Sequence, residues 1–228
     1  MKNGRLFTLP GASFCVALLL TAACSNEPAT VSKPLYAAVL YDQSGSSDEN
    51  ALPELTVDHL EKLIAVLKHR GGELAFAEIG ANSFKPLARL SVRPILGKRL
   101  GERARQNQRN QARIDRFNFV VGEKLAQPRN QQKTDVQGAL LKTSAFFNEP
   151  DIADSSSDKV IFFVSDGRQT AKKRAGKIRI NADVRVFAVG CDAEQAQQWF
   201  GRQVDVFENI SAAVAFLTSN KGANNVRP

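Results

Sequence analysis

The run Leu35-Tyr36-Ala37-Ala38-Val39-Leu40-Tyr41-Asp42-Gln43-Ser44-Gly45-Ser46 decides how the rest of the chain is read. Its first seven residues are continuously apolar, the pattern of a strand covered on both faces rather than one with a wet side. Lys159-Val160-Ile161-Phe162-Phe163-Val164 and Val184-Arg185-Val186-Phe187-Ala188-Val189 repeat that pattern. Around them lie helical stretches. Leu55, Leu60, Leu63, Ile64 and Leu67 recur at helical spacing until Gly71-Gly72 stops them, and residues 134–147 read as a second helix. Residues 74–79 and 87–92 read as a hairpin turning at Asn82-Ser83, residues 204–207 as a short edge strand, and residues 211–217 as a closing helix. The expected fold is α/β: a doubly wound, mostly parallel, Rossmann-like sheet with helices on both faces and one antiparallel edge strand.

In such a sheet, ligands bind outside the carboxyl ends of the strands, where the strand order reverses. Two buried strands end there in polar residues. The first runs into Asp42-Gln43-Ser44-Gly45-Ser46, and the second into Ser165-Asp166-Gly167. Between them Thr134-Asp135-Val136-Gln137-Gly138 opens a helix with a hydroxyl. Two carboxylates and three hydroxyls are all hard oxygen donors, which suit Mg²⁺, or Mn²⁺ and Ca²⁺, rather than zinc. Taken singly, Asp42 could cap a turn and Thr134 a helix; those bland roles do not explain why all of them meet at one sheet edge.

Together these residues resemble the von Willebrand factor A (vWA) domain and its metal-ion-dependent adhesion site. Asp42, Ser44 and Ser46 match its D-x-S-x-S element, Thr134 the threonine that opens a middle helix, and Asp166 the final aspartate. The similarity runs over residues 35–218. It implies that Ser44, Ser46 and Thr134 bind the ion directly and that Asp42 and Asp166 act through water or a direct bond. It further implies an open coordination position filled by a Glu or Asp of a protein partner. Asp48 and Glu49, close behind the first loop, would repel such a ligand or donate to a second cation.

The chain's 228 residues are 43% hydrophobic and 24% charged, which excludes collagen-like or wholly disordered chains. Its three cysteines, Cys15, Cys24 and Cys191, include no C-x-x-C pair, so a zinc ribbon, an iron–sulfur site and a thioredoxin-type centre are out. His59 and His69 lack metal-ligand spacing and read as surface positions of the first helix. Cys191 closes a strand pattern, where a small buried hydrophobe is expected.

Residues 1–23 carry Lys2 and Arg5, then an apolar stretch, then Thr21-Ala22-Ala23, as a secretory signal does. The Leu-Thr-Ala-Ala-Cys ending resembles a bacterial lipobox, with Thr21 where the family usually has Leu. That resemblance implies lipidation of Cys24, an anchor in the bacterial cell envelope and, since Ser25 is not Asp, the outer membrane. The other reading is an ordinary secretory cut near Ala23. Residues 24–34 read as a tether and 219–228 as a polar tail.

The formal charge of +8 is concentrated in residues 97–133. Arg105, Arg109, Arg113 and Arg116 repeat at three or four residues and share one face of a helix, which could contain a break. The face is either simply solvated or a patch for an acidic partner or anionic lipid. Nucleic acid is a poor third, because the leader sends the chain out of the cytoplasm.

The leading functional expectation is a non-enzymatic, membrane-anchored, metal-dependent protein-binding module. A scaffold acting through the basic face is the alternative. A Mg²⁺-dependent phosphoesterase is the weakest reading, and no small-molecule substrate is expected. The chain has no G-x-S-x-G, H-E-x-x-H or Walker loop, and a haloacid-dehalogenase-type phosphatase would want an Asp where Ser44 stands.

Overall fold

Apolar strands sort their side chains alternately to two faces, and the fold covers both. The computed structural model describes residues 32–45, 52–83, 85–95, 99–129, 131–153, 156–172, 178–202 and 204–219. Contacts within Ser32–Pro228 make one unit. In chain order the elements are β1 (Leu35–Asp42), α1 (Val57–Arg70), β2 (Gly72–Ile79), β3 (Ala88–Val92), α2 (Leu100–Leu125), α3 (Val136–Phe147), β4 (Asp158–Val164), β5 (Val184–Val189), α4 (Ala193–Phe200), β6 (Asp205–Phe207) and α5 (Ile210–Thr218). The six-stranded sheet has the order β3-β2-β1-β4-β5-β6. All neighbours run parallel except β3, which pairs antiparallel with β2 at the edge. This is the expected doubly wound α/β fold.

Leu35, Ala37, Val39 and Tyr41 of β1 face one core with Val160, Phe162, Phe187 and Val189; α1, α2 and α5 close it through Leu63, Leu67, Phe117, Val121 and Val214. Ala38, Leu40, Ile161, Phe163 and Ala188 face the other core, closed by α3 and α4 through Leu140, Phe146, Phe147 and Ala196. Each large side chain so buried contributes roughly 1.5–3 kcal/mol relative to exposure. Phe187 meets Phe162 edge-on at 5.4 Å and Phe207 at 5.2 Å, tying β4, β5 and β6 together on one face.

Three features depart from the expectations. α2 is one unbroken helix of 26 residues, held to the core by Ile114, Phe117 and Val121. α4 was not foreseen: only eight residues long, it starts at Asp192, whose carboxylate accepts from the Gln195 N–H, and ends at left-handed Gly201. α3 begins at Val136 with Asp135 as its cap, so Thr134 lies just before the helix rather than at its first turn. His59, half-buried on α1, also helps to cap it. Its Nδ1 accepts from the Thr56 N–H at 3.2 Å, which leaves the proton on Nε2, 3.0 Å from Ser211 Oγ. His69 is exposed.

The leader, Cys24 and the segment after Ser219 lie outside the described residues, as does the tether apart from residues 32–34. Among the described residues no helix is long and apolar enough to cross a membrane.

Candidate functional site

The order β2-β1-β4 places the reversal of connection between β1 and β4, and the crevice outside their carboxyl ends is where a ligand belongs. Parallel register aligns Tyr41 with Val164 and Asp42 with Ile79, so Asp42 and the Ser165-Asp166 pair reach the same edge. Asp42 is fully buried. Its Oδ1 accepts from the Ser44 N–H at 2.9 Å and its Oδ2 from Ser165 Oγ at 2.7 Å. Ser165 Oγ in turn accepts from the Gly167 N–H at 3.0 Å. Asp166 is nearly buried, and its Oδ1 accepts from the Arg168 N–H at 3.0 Å. Burial pushes the Asp42 carboxyl above the ordinary carboxylate range. Hydrogen bonds from Ser165 and Ser44 pull it back, and the negative charge of Asp166 adds to the push.

A third arm arrives from the segment before α3. Gln131 accepts from the Gly45 N–H at 2.9 Å and bridges Ser44, while its side-chain carbonyl accepts from the Ala81 N–H at 2.6 Å. The Asp135 N–H reaches the Gly80 carbonyl at 2.7 Å. On the other side, the Thr134 N–H donates to Thr170 Oγ1 at 2.7 Å, and the Thr134 carbonyl accepts from Thr170 and Ala171 at 3.1 and 3.0 Å. Thr134 is therefore clamped to the loop after β4, three residues from Gln131, which binds the loop after β1. It is 1% exposed. Gly138 makes the turn possible: a Cβ there would lie 2.3 Å from Asp135 Oδ2, whose carboxylate accepts from the Gly138 and Ser83 N–H groups.

Asp42, Ser44, Thr134 and Asp166 thus gather at one sheet edge. Ser46, Asp48 and Glu49 lie outside the described residues. Among the described residues there is no group of three or more His, Cys, Asp or Glu that could hold a metal ion. The chemistry fits a small hard cation. A buried Asp42 carboxylate with the negative charge of Asp166 beside it and neutral hydroxyls around it is relieved by positive charge from outside.

Sequence reasoning missed Ser165, Asp135 and Thr170, which orient the set rather than resemble ligands. It also counted Arg129 and Lys124 in the basic segment, where both are structural. Arg129 lies 4.9 Å over the Tyr41 ring, bonds the Tyr41 hydroxyl and reaches the Leu52 carbonyl at 3.1 Å. Lys124 pairs with Glu78 at 2.8 Å, and its carbonyl accepts from Gln43 Nε2 at 2.6 Å.

Cys191 is buried, and its thiol is pushed up to about 12 by burial first, then by the charges of Asp192 and Asp166. In the unfolded chain it ionises near 9.0. Between those values the unfolded state sheds the proton and the folded state keeps it, so this thiol's contribution to stability is complete below 9.0 and falls as pH rises towards 12. In protein starting at Ser25, Cys191 is the one thiol. It should stay unmodified by an aromatic disulfide reagent at pH 8 until denaturant is added, and Cys191→Ala should flatten the alkaline limb of the stability profile. Rapid native-state labelling at pH 8 would contradict the burial.

No protein-family model and no curated protein matches the chain. Among solved structures, proximal thread matrix protein 1 from the mussel byssus aligns with 82% of this chain and 46% of its own, at 14% identity and a TM-score of 0.44. A second crystal form of it gives 13% and 0.40. The open conformation of the pilus adhesin SpaC from Lactobacillus rhamnosus GG aligns with 60% of this chain and 15% of its own, at 22% identity and a TM-score of 0.32. The chain spans less than half the length of these solved chains.

Proposed function

We propose that the protein is a metal-dependent protein-binding module of the vWA kind, not an enzyme. The observation that carries this reading is the set at the β1–β4 edge: buried Asp42 and Asp166 with Ser44 and clamped, buried Thr134. Ser44, Thr134 and Ser46 would hold the ion, with Asp42 and Asp166 balancing its charge. A bound Mg²⁺, Mn²⁺ or Ca²⁺ would supply an open position for a carboxylate oxygen of an acidic partner. Without a cation, Asp42 and Asp166 turn the same partner away by like charge, so partner binding follows the metal. Against hydrolysis stands the commitment of His59 to Thr56 and Ser211, which leaves Ser44 without a histidine base. The leader supports the rest of the reading: a lipid on Cys24 holding the module in the bacterial envelope, at the outer membrane.

The test is thermal unfolding of the protein from Ser25 on, titrated with each of the three cations, beside Thr134→Ala and Asp166→Ala. A cation that binds only the folded state should stabilise the wild type by about 2.7 kcal/mol at a hundredfold excess over Kd. Both variants should stay folded and lose the response. A wild type indifferent to every cation, or variants that respond equally, would sink the proposal.

A further inference from the structure

The loop after β4 serves two places at once. Its ends belong to the β1–β4 edge, where Asp166 stands and where Thr170 clamps Thr134. Its middle, Gly167, Arg168 and Gln169, forms one wall of a separate pocket of about 690 Å³. Helix α4 forms the facing wall. Gly167 has φ at +72°, a conformation open to glycine, and its carbonyl accepts from Trp199 Nε1 at 2.8 Å. That bond fixes the indole one residue away from Asp166. Gln169 is spent on holding the wall: its Oε1 accepts from the Gln137 N–H and its Nε2 donates to the Ala171 carbonyl, both at 3.0 Å.

The other lining groups are not spent. Gln195, half-buried, and Gln198, exposed, stand one turn apart on α4, and their side-chain amides make no hydrogen bond among the described residues. Each amide can both donate and accept. Trp199 and Ile178, both half-buried, supply apolar surface. Among the described lining residues there is no acid, and the one charge is Arg168, 62% exposed, with its Nε 4.0 Å from Asp166 Oδ2. Two amides match the N–H and C=O groups of a peptide backbone, an indole and an isoleucine match an apolar side chain, and a guanidinium at the lip favours an acid close by. A sugar would also meet an indole and two amides. It would not account for a wall shared with an edge that takes a carboxylate from a protein. In an extended chain the side chains two places from an acid point the same way as the acid and stand about 7 Å from it. The indole, one residue and one hydrogen bond from Asp166, is within that reach.

We infer that the pocket between the loop after β4 and α4 seats an apolar side chain two places from the acidic residue that the partner protein offers to the cation, with Trp199 and Ile178 as its apolar walls and Gln195 and Gln198 bonding the partner's backbone. The seat rests on the metal-dependent reading proposed above. It adds what the partner must carry: an acid and an apolar residue at a spacing of two.

The probe is a fluorescein-labelled nine-residue peptide with Asp at its centre and Leu two places away on both sides, the remainder Gly and Ser, so that either chain direction presents the spacing. Its control carries Ser in place of both Leu. Both are titrated by anisotropy with the protein from Ser25 on, in Mg²⁺, Mn²⁺ or Ca²⁺ and in EDTA. With cation, the wild type should bind the Leu peptide about tenfold more tightly than the Ser peptide, and it should lose the Leu peptide in EDTA. Gln195→Ala/Gln198→Ala should bind the Leu peptide about tenfold more weakly than the wild type does. Alanine suits a helix, and an unchanged rise in unfolding temperature with cation would report an intact fold and an intact β1–β4 edge in that variant. Three results would overturn the seat and leave the metal-dependent reading standing: a cation response with the two peptides bound equally or not at all, a double variant that holds the Leu peptide as tightly as the wild type, or cellotriose raising the unfolding temperature of the wild type alone while the Leu peptide fails to bind. A wild type with no cation response, or one that binds the Leu peptide as well in EDTA, would overturn both.

Discussion

Asp183→Asn should destabilise the protein by about 3 kcal/mol, the scale of stranding one member of a buried ion pair. Lys159, near the start of β4, has a side chain with no exposure at all, although the strand pattern there is otherwise apolar. Its ammonium is held by Asp183 Oδ2 at 2.6 Å and the Ala153 carbonyl at 3.2 Å. Asparagine would keep an oxygen in place and remove the charge, leaving the ammonium with neutral acceptors in a site closed to water. The two ends of the pair are not equivalent, because Asp183 is 42% exposed. Lys159→Met removes the buried charge, fills the same channel and leaves Asp183 to be hydrated, at a cost of less than about 1.5 kcal/mol. The asymmetry makes the test sharp. In urea denaturation, Lys159→Met placed in the Asp183→Asn background should restore most of the loss. Equal losses from both single variants, with no rescue, would refute a stranded charge as the cause.

This lysine shows what the sequence could and could not disclose. Residues 159–164 read correctly as a buried strand because five of the six are apolar and one charge does not disturb that period. That Lys159 is buried rather than fraying into solvent depends on Asp183, 24 positions away, and no local pattern reports such a pairing. The site divides the same way. Asp42 and Asp166 were legible because a carboxylate at the end of an apolar run sits at the end of a buried strand, and parallel strands bring such ends to one edge. Ser165, Asp135 and Thr170 were not, since their work is to accept or donate one hydrogen bond each in a geometry that only the folded loops create. The basic segment was legible as charge, but not as residues with separate tasks. Lys124 and Arg129 belong to the walls of the site, whereas Arg105, Arg109, Arg113 and Arg116 stay on the outside of α2. The short α4 was missed because Asp192 and Gly201, its two end signals, enclose too few apolar residues to show a period.

The largest effect is expected at a glycine far from the site. Gly72 opens β2 with φ at +119°, and a Cβ there would lie 1.9 Å from the Leu35 carbonyl oxygen, 2.7 Å from its carbon and 2.8 Å from its nitrogen. All three are backbone atoms, so no rotamer change relieves the clash. Gly72→Ala should cost about 4 kcal/mol, roughly 1–2 for the positive φ and the remainder for moving the start of β1. β1 has little room to move. Leu35 stands in register with Gly72 on one side and Asp158 on the other, and the same register seven residues later puts Asp42 beside Ile79. A strand displaced at Leu35 carries that displacement towards the 2.7 Å hydrogen bond between Asp42 and Ser165. The variant should therefore lose both stability and, where it still folds, the response to divalent cations. Gly122→Ala is the matched control. Gly122 lies within α2, a Cβ there meets nothing within 4 Å, and alanine should stabilise by roughly 0.5–1 kcal/mol. One substitution type then gives opposite signs at two glycines. If instead Gly72→Ala proved as mild as Gly122→Ala in urea denaturation, the close approach of β2 to β1 at Leu35 would be wrong.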